Sequence, residues 1–169
     1  MEDRQRSYAD ARMSAETDRG PVLLCFDGSE DAAGAIARAG ELLVPQQAVV
    51  LTVQEPIRTW RPTDPATILD APIGKMLSKA LELEEIVGEV VKEELRRGVE
   101  LARAAGFRAE GRVGQGKAWR VICDVATELD ADVVVLGARG LSRVRSALLG
   151  SVSAAVSAHA GRPVLIVHH

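Results

Sequence analysis

One short segment in the last third of the chain limits the fold more than any other. Its four apolar residues, Val133–Leu136, three of them β-branched, predict a buried strand. The strand is followed by Gly137, Gly140, Gly150 and Ser151, in the pattern G-x2-G-x9-G-S. Glycine lets a backbone approach a bulky ligand, and a Gly-Ser pair that opens a helix offers free N–H groups to an anion. The segment therefore predicts a phosphate-binding loop after a strand, which is typical of nucleotide binding.

This spacing resembles the ATP-binding branch of the universal stress protein family, which carries G-x2-G-x9-G-[ST] at the corresponding place. The match continues at Val152, Ser153, the Asp27-Gly28-Ser29 turn, Val49–Val53 and the terminal segment Pro163–Val167. It covers roughly residues 21–169, apart from one insertion. The resemblance implies an α/β fold of the adenine nucleotide alpha hydrolase-like class. Such a fold has an open five-stranded parallel sheet of order 3-2-1-4-5, with helices on both faces.

Hydrophobic periodicity independently predicts strands that alternate with helices. The predicted strands are Pro21–Phe26, Ala48–Val53, Arg108–Val113, Val133–Leu136 and Pro163–Val167. The predicted helices are one capped by Ser29 that ends near Pro45, then Leu77–Ala105, Lys117–Leu129 and Val152–His159. In the longest helix, Gly88 and Gly98 leave room for a break, and Glu93 is spaced for an ion pair with Arg97. The alternation indicates a parallel sheet with right-handed crossovers, and the order of its strands comes from the resemblance alone.

The composition predicts one globular domain. The chain has 169 residues, of which 47% are hydrophobic and only 3% aromatic, so its core has to be built from Val, Leu, Ile and Ala. We expect residues 1–20 to be a disordered tail and residues 21–169 to form the domain. The proline-rich segment Glu55–Gly74 is expected to be a long irregular loop, serving either as a lid over the nucleotide or as a docking segment for a partner.

Charge and residue usage argue against several classes of function. The net charge of −3 lacks the basic footprint of a nucleic-acid-binding protein. No apolar run approaches the ~18 residues of a membrane span, and the N-terminal residues do not resemble a secretory signal, so a cytoplasmic location is expected. Cys25 and Cys123 are expected to be buried, reduced thiols, and the spacing of the three histidines suits no metal site.

The implied strand order places the ligand between the first and fourth strands, where the order reverses. Asp27 ends the first strand and Gly137 ends the fourth. The resemblance implies that Asp27 contacts the base, although the residue could also bind a ribose hydroxyl, hold a metal or simply cap a turn. It likewise implies that Val53 contacts the adenosine, and Leu136 could pack on the base. For both apolar residues, a place in the core is the alternative.

The remaining candidate residues surround the phosphates. Gly137 and Gly140 would pass close to the ribose and phosphates, while Gly150, Ser151 and Ser153 would donate backbone N–H groups and hydroxyls, with Val152 completing the helix start. Arg139, and beyond it Arg143 and Arg145, could offset the charge of a triphosphate or could be solvated on the surface. Gly116 stands where the family often has proline, a departure that affects the stiffness of its loop rather than the presence of the site.

The resemblance implies a regulatory module that binds ATP, together with Mg²⁺, without efficient catalysis. We expect no enzyme, because the sequence has no Walker-type G-x4-G-K-[ST] and no nucleophile–base arrangement. Two alternatives remain: an interaction module that has lost nucleotide binding, and a slow enzyme that cleaves ATP between its α- and β-phosphates. The resemblance also implies a homodimer formed through the apolar edge strand Pro163–Val167.

Overall fold

The computed structural model describes residues 19–44, 46–55, 73–140 and 149–168, with residues 73–81, 83 and 84 described by their backbone only. Within these residues strands and helices alternate as predicted. Their bounds are β1 (Val22–Cys25), α1 (Glu30–Leu42), β2 (Gln47–Gln54), α2 (Ile73–Ala104), β3 (Arg108–Gln115), α3 (Ala118–Glu128), β4 (Val133–Gly137), α4 (Ser151–His159) and β5 (Val164–Val167). Most of the predicted tail and of the predicted proline-rich loop lies outside the described residues. Ile73 and Gly74, which the sequence places in that loop, belong instead to the first turn of α2.

The five strands form one parallel sheet of order β3-β2-β1-β4-β5. The central strand β1 pairs on one side with β2, where Leu24 lies opposite Val50, and on the other with β4, where it lies opposite Val135. This order confirms the expectation from the resemblance. It also places the carboxyl ends of β1 and β4 side by side, at the point where the direction of the strand order changes.

Each face of the sheet has its own core. On one face α1 and α2 pack around Phe26, Ile36 and Val50, which are 0–2% exposed. On the other face α3 and α4 pack around a second set that includes Leu51 and Ile122. Full burial of one such aliphatic side chain stabilises a fold by about 1.5–3 kcal/mol, so the two layers can form with few aromatic residues. Among the described helices, none combines the length and the apolar character that a membrane crossing requires.

Helix α1 begins as its sequence predicts. The Ser29 hydroxyl accepts a hydrogen bond from the Ala32 N–H at 3.2 Å, and the acidic residues Glu30 and Asp31 occupy the first turn, where the helix dipole favours negative charge. The cap fixes the direction in which the chain leaves β1, and it thereby fixes the loop that contains Asp27.

Helix α2 runs without a break from Ile73 to Ala104. A Cβ added at Gly98 would lie 2.8 Å from Phe26 Cδ1 and 2.9 Å from Val50 Cγ1. Gly98 therefore allows the helix to pack closely on the sheet, and the tight contact compensates for the low helix propensity of glycine.

The ion pair predicted between Glu93 and Arg97 is wrong. Glu93 pairs instead with Arg96, at 2.6 Å, and the Arg97 guanidinium lies over the Phe26 ring, 5.9 Å from its centroid. The face of an aromatic ring attracts a cation, and the Phe26 ring packs against the side of α2 that faces the sheet. Arg97 is therefore directed toward the loop that follows β1.

Candidate functional site

A cavity of about 440 Å³ opens at the carboxyl ends of β1, β2 and β4. The ten candidate site residues that fall within the described part of the chain all line it: Asp27, Val53, Leu136, Gly137, Arg139, Gly140, Gly150, Ser151, Val152 and Ser153. Its lining also includes residues that the sequence analysis did not select: Cys25, Phe26, Ala32, Leu51, Glu55, Ala118 and Ile122. The cavity lies at the switch point of the sheet, and its volume falls in the range of small-molecule sites.

Of the roles that the sequence allows for Asp27, the structure shows the turn cap, and it also places the carboxylate at the cavity. Its Oδ1 accepts a hydrogen bond from the Ser29 N–H at 3.0 Å, which closes a turn over Gly28 at φ +82°. Its Oδ2 faces Gly140, where an added Cβ would lie only 2.5 Å away. The turn therefore holds the carboxylate in a fixed position at the wall of the cavity.

Gly137 is required by packing within the protein. A Cβ at this position would lie 2.7 Å from the carbonyl carbon of Asp31 and 2.8 Å from the amide nitrogen of Ala32. The first turn of α1 thus rests directly on the end of β4. Because both contacts are to backbone atoms, no side-chain rearrangement could relieve the clash.

The amino end of α4 lies at the wall of the cavity. Gly150 is the N-cap residue and provides no side-chain cap, and its own N–H donates to the Ala138 carbonyl at 2.7 Å. The first N–H groups of an α-helix have no partner inside the helix. Ser151 and Val152, at the start of this nine-residue helix, line the cavity, so this end of α4 suits a phosphate.

The hydroxyl of Ser153 does not have the predicted role of a phosphate donor. It is buried and donates its hydrogen bond to the Gly137 carbonyl at 2.8 Å. A hydroxyl has one proton, and that proton is used to tie α4 to the end of β4. Ser153 therefore positions the helix start rather than binding a phosphate through its hydroxyl.

Arg139 is partly enclosed rather than fully solvated. Its Nε lies 3.4 Å from Asp31 Oδ2, with 40% of the Arg139 side chain and 20% of the Asp31 side chain exposed. Within the described residues Asp31 Oδ2 has no hydrogen bond. The pair therefore attaches the loop after β4 to α1 through charge alone, and it keeps a guanidinium at the cavity wall. Arg143 and Arg145 lie outside the described residues.

The opposite part of the cavity is apolar. Val53 is half-buried and Leu136 is 5% exposed, and both pack with the core beneath α3 and α4 while also lining the cavity. Both residues therefore belong to the core and also line the cavity, so the two predicted alternatives do not exclude each other. Leu51 and Ile122 extend the same wall. The surface suits a flat, apolar group such as a nucleotide base.

Glu55, which the sequence analysis did not select, is the carboxylate at this apolar end. It follows the last residue of β2, and its Oε1 accepts a hydrogen bond from the Ala118 N–H at 3.2 Å. The N-cap residue of α3, Lys117, makes no side-chain cap bond, so Glu55 caps that helix from a different element. The only local sequence signal for this role of Glu55 is that α3 begins without a capping side chain of its own.

Burial and neighbouring charge shift two pKa values around β1. Burial, followed by the charges of Asp27 and Cys123, holds the pKa of the Cys25 thiol far above its ordinary value, so this cavity wall stays uncharged. Partial burial and then the Asp27 carboxylate raise the pKa of Glu94, while Arg97 opposes the shift. Glu94 reaches over Gly28, where an added Cβ would lie 3.0 Å from its Oε1. No group of three or more His, Cys, Asp or Glu side chains suited to a metal ion occurs in the described part of the chain.

Gly116, where the resemblance leads us to expect proline, lies in the loop after β3. Gly116 has φ +129°, which the ring of proline cannot adopt. Neither Gly116 nor Gly114 lines the cavity, and an added Cβ at either position would press on Val121 of α3. The substitution thus belongs to the connection between β3 and α3.

A model of the universal stress protein family matches residues 19–168. The universal stress protein Sll1388 of Synechocystis is 35% identical over 161 residues, which cover 89% of this chain and 98% of that protein. The universal stress protein YxiE of Bacillus subtilis is 32% identical over 149 residues, covering 86% and 97%. The chain belongs to the universal stress protein family.

Solved structures agree with this assignment. The protein MJ0577 superimposes on this universal stress protein with a TM-score of 0.69, at 21% identity and with 89% and 96% of the two chains covered, which supports the fold. A universal stress protein in complex with cAMP superimposes with a TM-score of 0.60, at 26% identity and with 89% and 97% covered.

Proposed function

We propose that this universal stress protein binds an adenine nucleotide in the cavity at the ends of β1, β2 and β4. The observation that carries the proposal is that every residue selected from the nucleotide-binding pattern lines that one cavity. The relative that is 26% identical and forms a complex with cAMP supports the same ligand class.

The two ends of the cavity suit the two ends of a nucleotide. The amino end of α4, with Gly150 and Ser151, offers N–H groups and a hydroxyl to phosphate oxygens, and Arg139 stands beside it. The apolar wall of Val53 and Leu136 takes the base. Asp27 lies between them, where its free Oδ2 can accept a hydrogen bond from the sugar.

Within this class we propose ATP, bound together with Mg²⁺. The helix N-terminus, equivalent to about half a positive charge, and the Arg139 guanidinium together offset part of the charge of a phosphate chain. Mg²⁺ is usually held by substrate phosphates, water and one or two carboxylates, and Asp27 is a carboxylate in the cavity. The ion would offset the charge of the phosphates and fix their arrangement.

We further propose that the bound nucleotide acts as a signal rather than as a substrate. Among the described residues, those around the phosphate end are mainly glycines, serines and an arginine, which bind and orient a phosphate chain but do not activate a water molecule. The protein would act in the cytoplasm, as a homodimer joined through β5, whose four apolar residues are only half-buried in the single chain.

The test is to denature freshly purified protein, chromatograph the released small molecules and titrate the stripped protein with MgATP in a calorimeter. Gly140→Glu places a second carboxylate against Asp27 and should lower the affinity on the order of 100-fold or more. The matched control is Gly88→Glu, which adds the same charge on α2, where an added Cβ meets nothing within 4 Å.

Released nucleotide, or a titration that Gly140→Glu abolishes and Gly88→Glu preserves, would support the proposal. If nothing is released and the stripped protein gives no heat with ATP, AMP or cAMP, the cavity is not a nucleotide site. The chain would then be an interaction module. Formation of AMP or ADP during the titration would contradict the non-catalytic part alone.

A further inference from the structure

Among the described residues that line the cavity, Glu55 provides the only carboxylate on the β2 side. The residue is exposed at the mouth of the cavity, directly after β2. Between it and the phosphate end lie the apolar side chains of Leu51, Val53, Ile122 and Leu136. A polar group of the ligand that reaches this end therefore has the Glu55 carboxylate as its side-chain partner.

The carboxylate is held in place by α3. Its Oε1 accepts the Ala118 N–H at 3.2 Å, at the amino end of a helix that has no cap of its own. The positive end of the helix dipole favours the charged carboxylate there. Among the described residues Oε2 has no hydrogen-bond partner, so one oxygen is fixed and the other can accept a bond from the ligand.

The distance across the sheet indicates which part of a nucleotide reaches Glu55. Neighbouring strands lie about 4.8 Å apart, so the end of β2 is about 10 Å from the end of β4. With its phosphates at Gly150 and Ser151, a nucleotide places its sugar near Asp27 on β1 and its base beyond, at Val53 and Glu55. An edge of the base, rather than the sugar, therefore meets the carboxylate.

We infer that Glu55 is a specificity-determining residue that selects purines with a 6-amino group over purines with a 6-keto group. This inference rests on the proposed function. A carboxylate accepts hydrogen bonds and donates none, so it pairs with the amino group of adenine and opposes the keto oxygen of hypoxanthine. At position 6, a keto oxygen leaves an acceptor facing the carboxylate, which is the repulsive element that discrimination requires.

The experiment compares the Kd values of ATP, ITP and purine riboside triphosphate, which lacks any group at position 6, for the native protein and for Glu55→Gln. The native protein should prefer ATP over both analogues by about tenfold, as expected for one hydrogen bond to a charged acceptor at a solvated rim. The glutamine can keep its carbonyl oxygen on the Ala118 N–H and present an NH₂ donor to the base. We therefore expect the preference of ATP over ITP to fall to about twofold or to invert.

Ratios of affinities are required because Glu55→Gln also removes a negative charge and so strengthens the binding of every nucleotide. Glu110→Gln, at an exposed position of β3 outside the cavity, is the matched control and should leave the ratios unchanged. Circular dichroism of the two variants checks that α3 remains folded.

The outcomes separate this inference from the proposed function. Equal binding of ATP and ITP by the native protein, or the same ratio in Glu55→Gln, would overturn the role of Glu55 and leave nucleotide binding intact. A change in the ratio of ATP to 2′-deoxy-ATP, with the ATP to ITP ratio constant, would also overturn it, because Glu55 would then contact the sugar. If no nucleotide binds the native protein, both proposals fail.

Discussion

The β4 side and the β2 side of the cavity are built by different means. On the β4 side, Gly137 and Gly140 are glycines because an added Cβ would lie 2.7 Å or less from a neighbouring atom. On the β2 side, Val53 and Glu55 contribute ordinary side chains, and Glu55 makes one hydrogen bond to α3. Gly137 is determined by backbone packing and Gly140 by the Asp27 carboxylate, whereas the β2 side is built from side-chain chemistry. A substitution at Gly137 should therefore affect folding, and one at Glu55 should mainly affect the choice of ligand.

The largest effect is expected for Gly137→Ala. Its new methyl group would lie 2.7–2.9 Å from backbone atoms of Asp31 and Ala32, so α1 would have to move away from β4. Overpacking of this kind costs about 3 kcal/mol in the free energy of unfolding, which urea denaturation measures. Gly88→Ala, at an open position in α2, should instead stabilise the protein by up to about 1 kcal/mol. Equal stabilities of the two variants would contradict the packing role of Gly137.

A smaller effect is expected for Ser153→Ala. The change removes the buried hydrogen bond between the Ser153 hydroxyl and the Gly137 carbonyl, which should lower the free energy of unfolding by about 1–2 kcal/mol. Ser157→Ala is the matched control on the same helix, because the Ser157 hydroxyl makes an exposed bond to the Ala154 carbonyl and its loss should have almost no effect. If both variants unfold at the same urea concentration, Ser153 does not tie α4 to β4.

The same contrast explains what the sequence could predict. Close packing leaves glycines at fixed spacing, so the pattern of Gly137, Gly140 and Gly150 is visible in the sequence. The alternation of apolar segments predicts the type and order of the strands and helices in the described residues, although not the first residues of α2. Glu55 and Glu94 were missed because each reaches the site from an element distant in sequence, and one acidic residue carries no pattern. The sequence predicts a phosphate as the partner of the Ser153 hydroxyl because it cannot show that the Gly137 carbonyl lies within hydrogen-bond distance.

The smallest effect concerns Glu94, which stands over the Asp27 loop between the two sides of the cavity. Partial burial and the Asp27 charge raise its pKa in the folded state above the ordinary value of 4.5. The folded protein then holds the Glu94 proton more tightly than the unfolded chain does. Stability is therefore lost as the pH rises from about 4.5 through the folded-state pKa.

Glu94→Gln removes this titration, so the variant should gain stability over the native protein at pH 8 and show almost no difference at pH 4. Urea denaturation at the two pH values measures the gain, and Glu110→Gln, on the exposed surface of β3, should show no such dependence. A difference between Glu94→Gln and the native protein that is the same at both pH values would mean that the pKa of Glu94 is not raised in the folded protein. Because Asp27 lines the cavity, its interaction with Glu94 would also make nucleotide affinity depend on the protonation of Glu94, which lies outside the cavity lining.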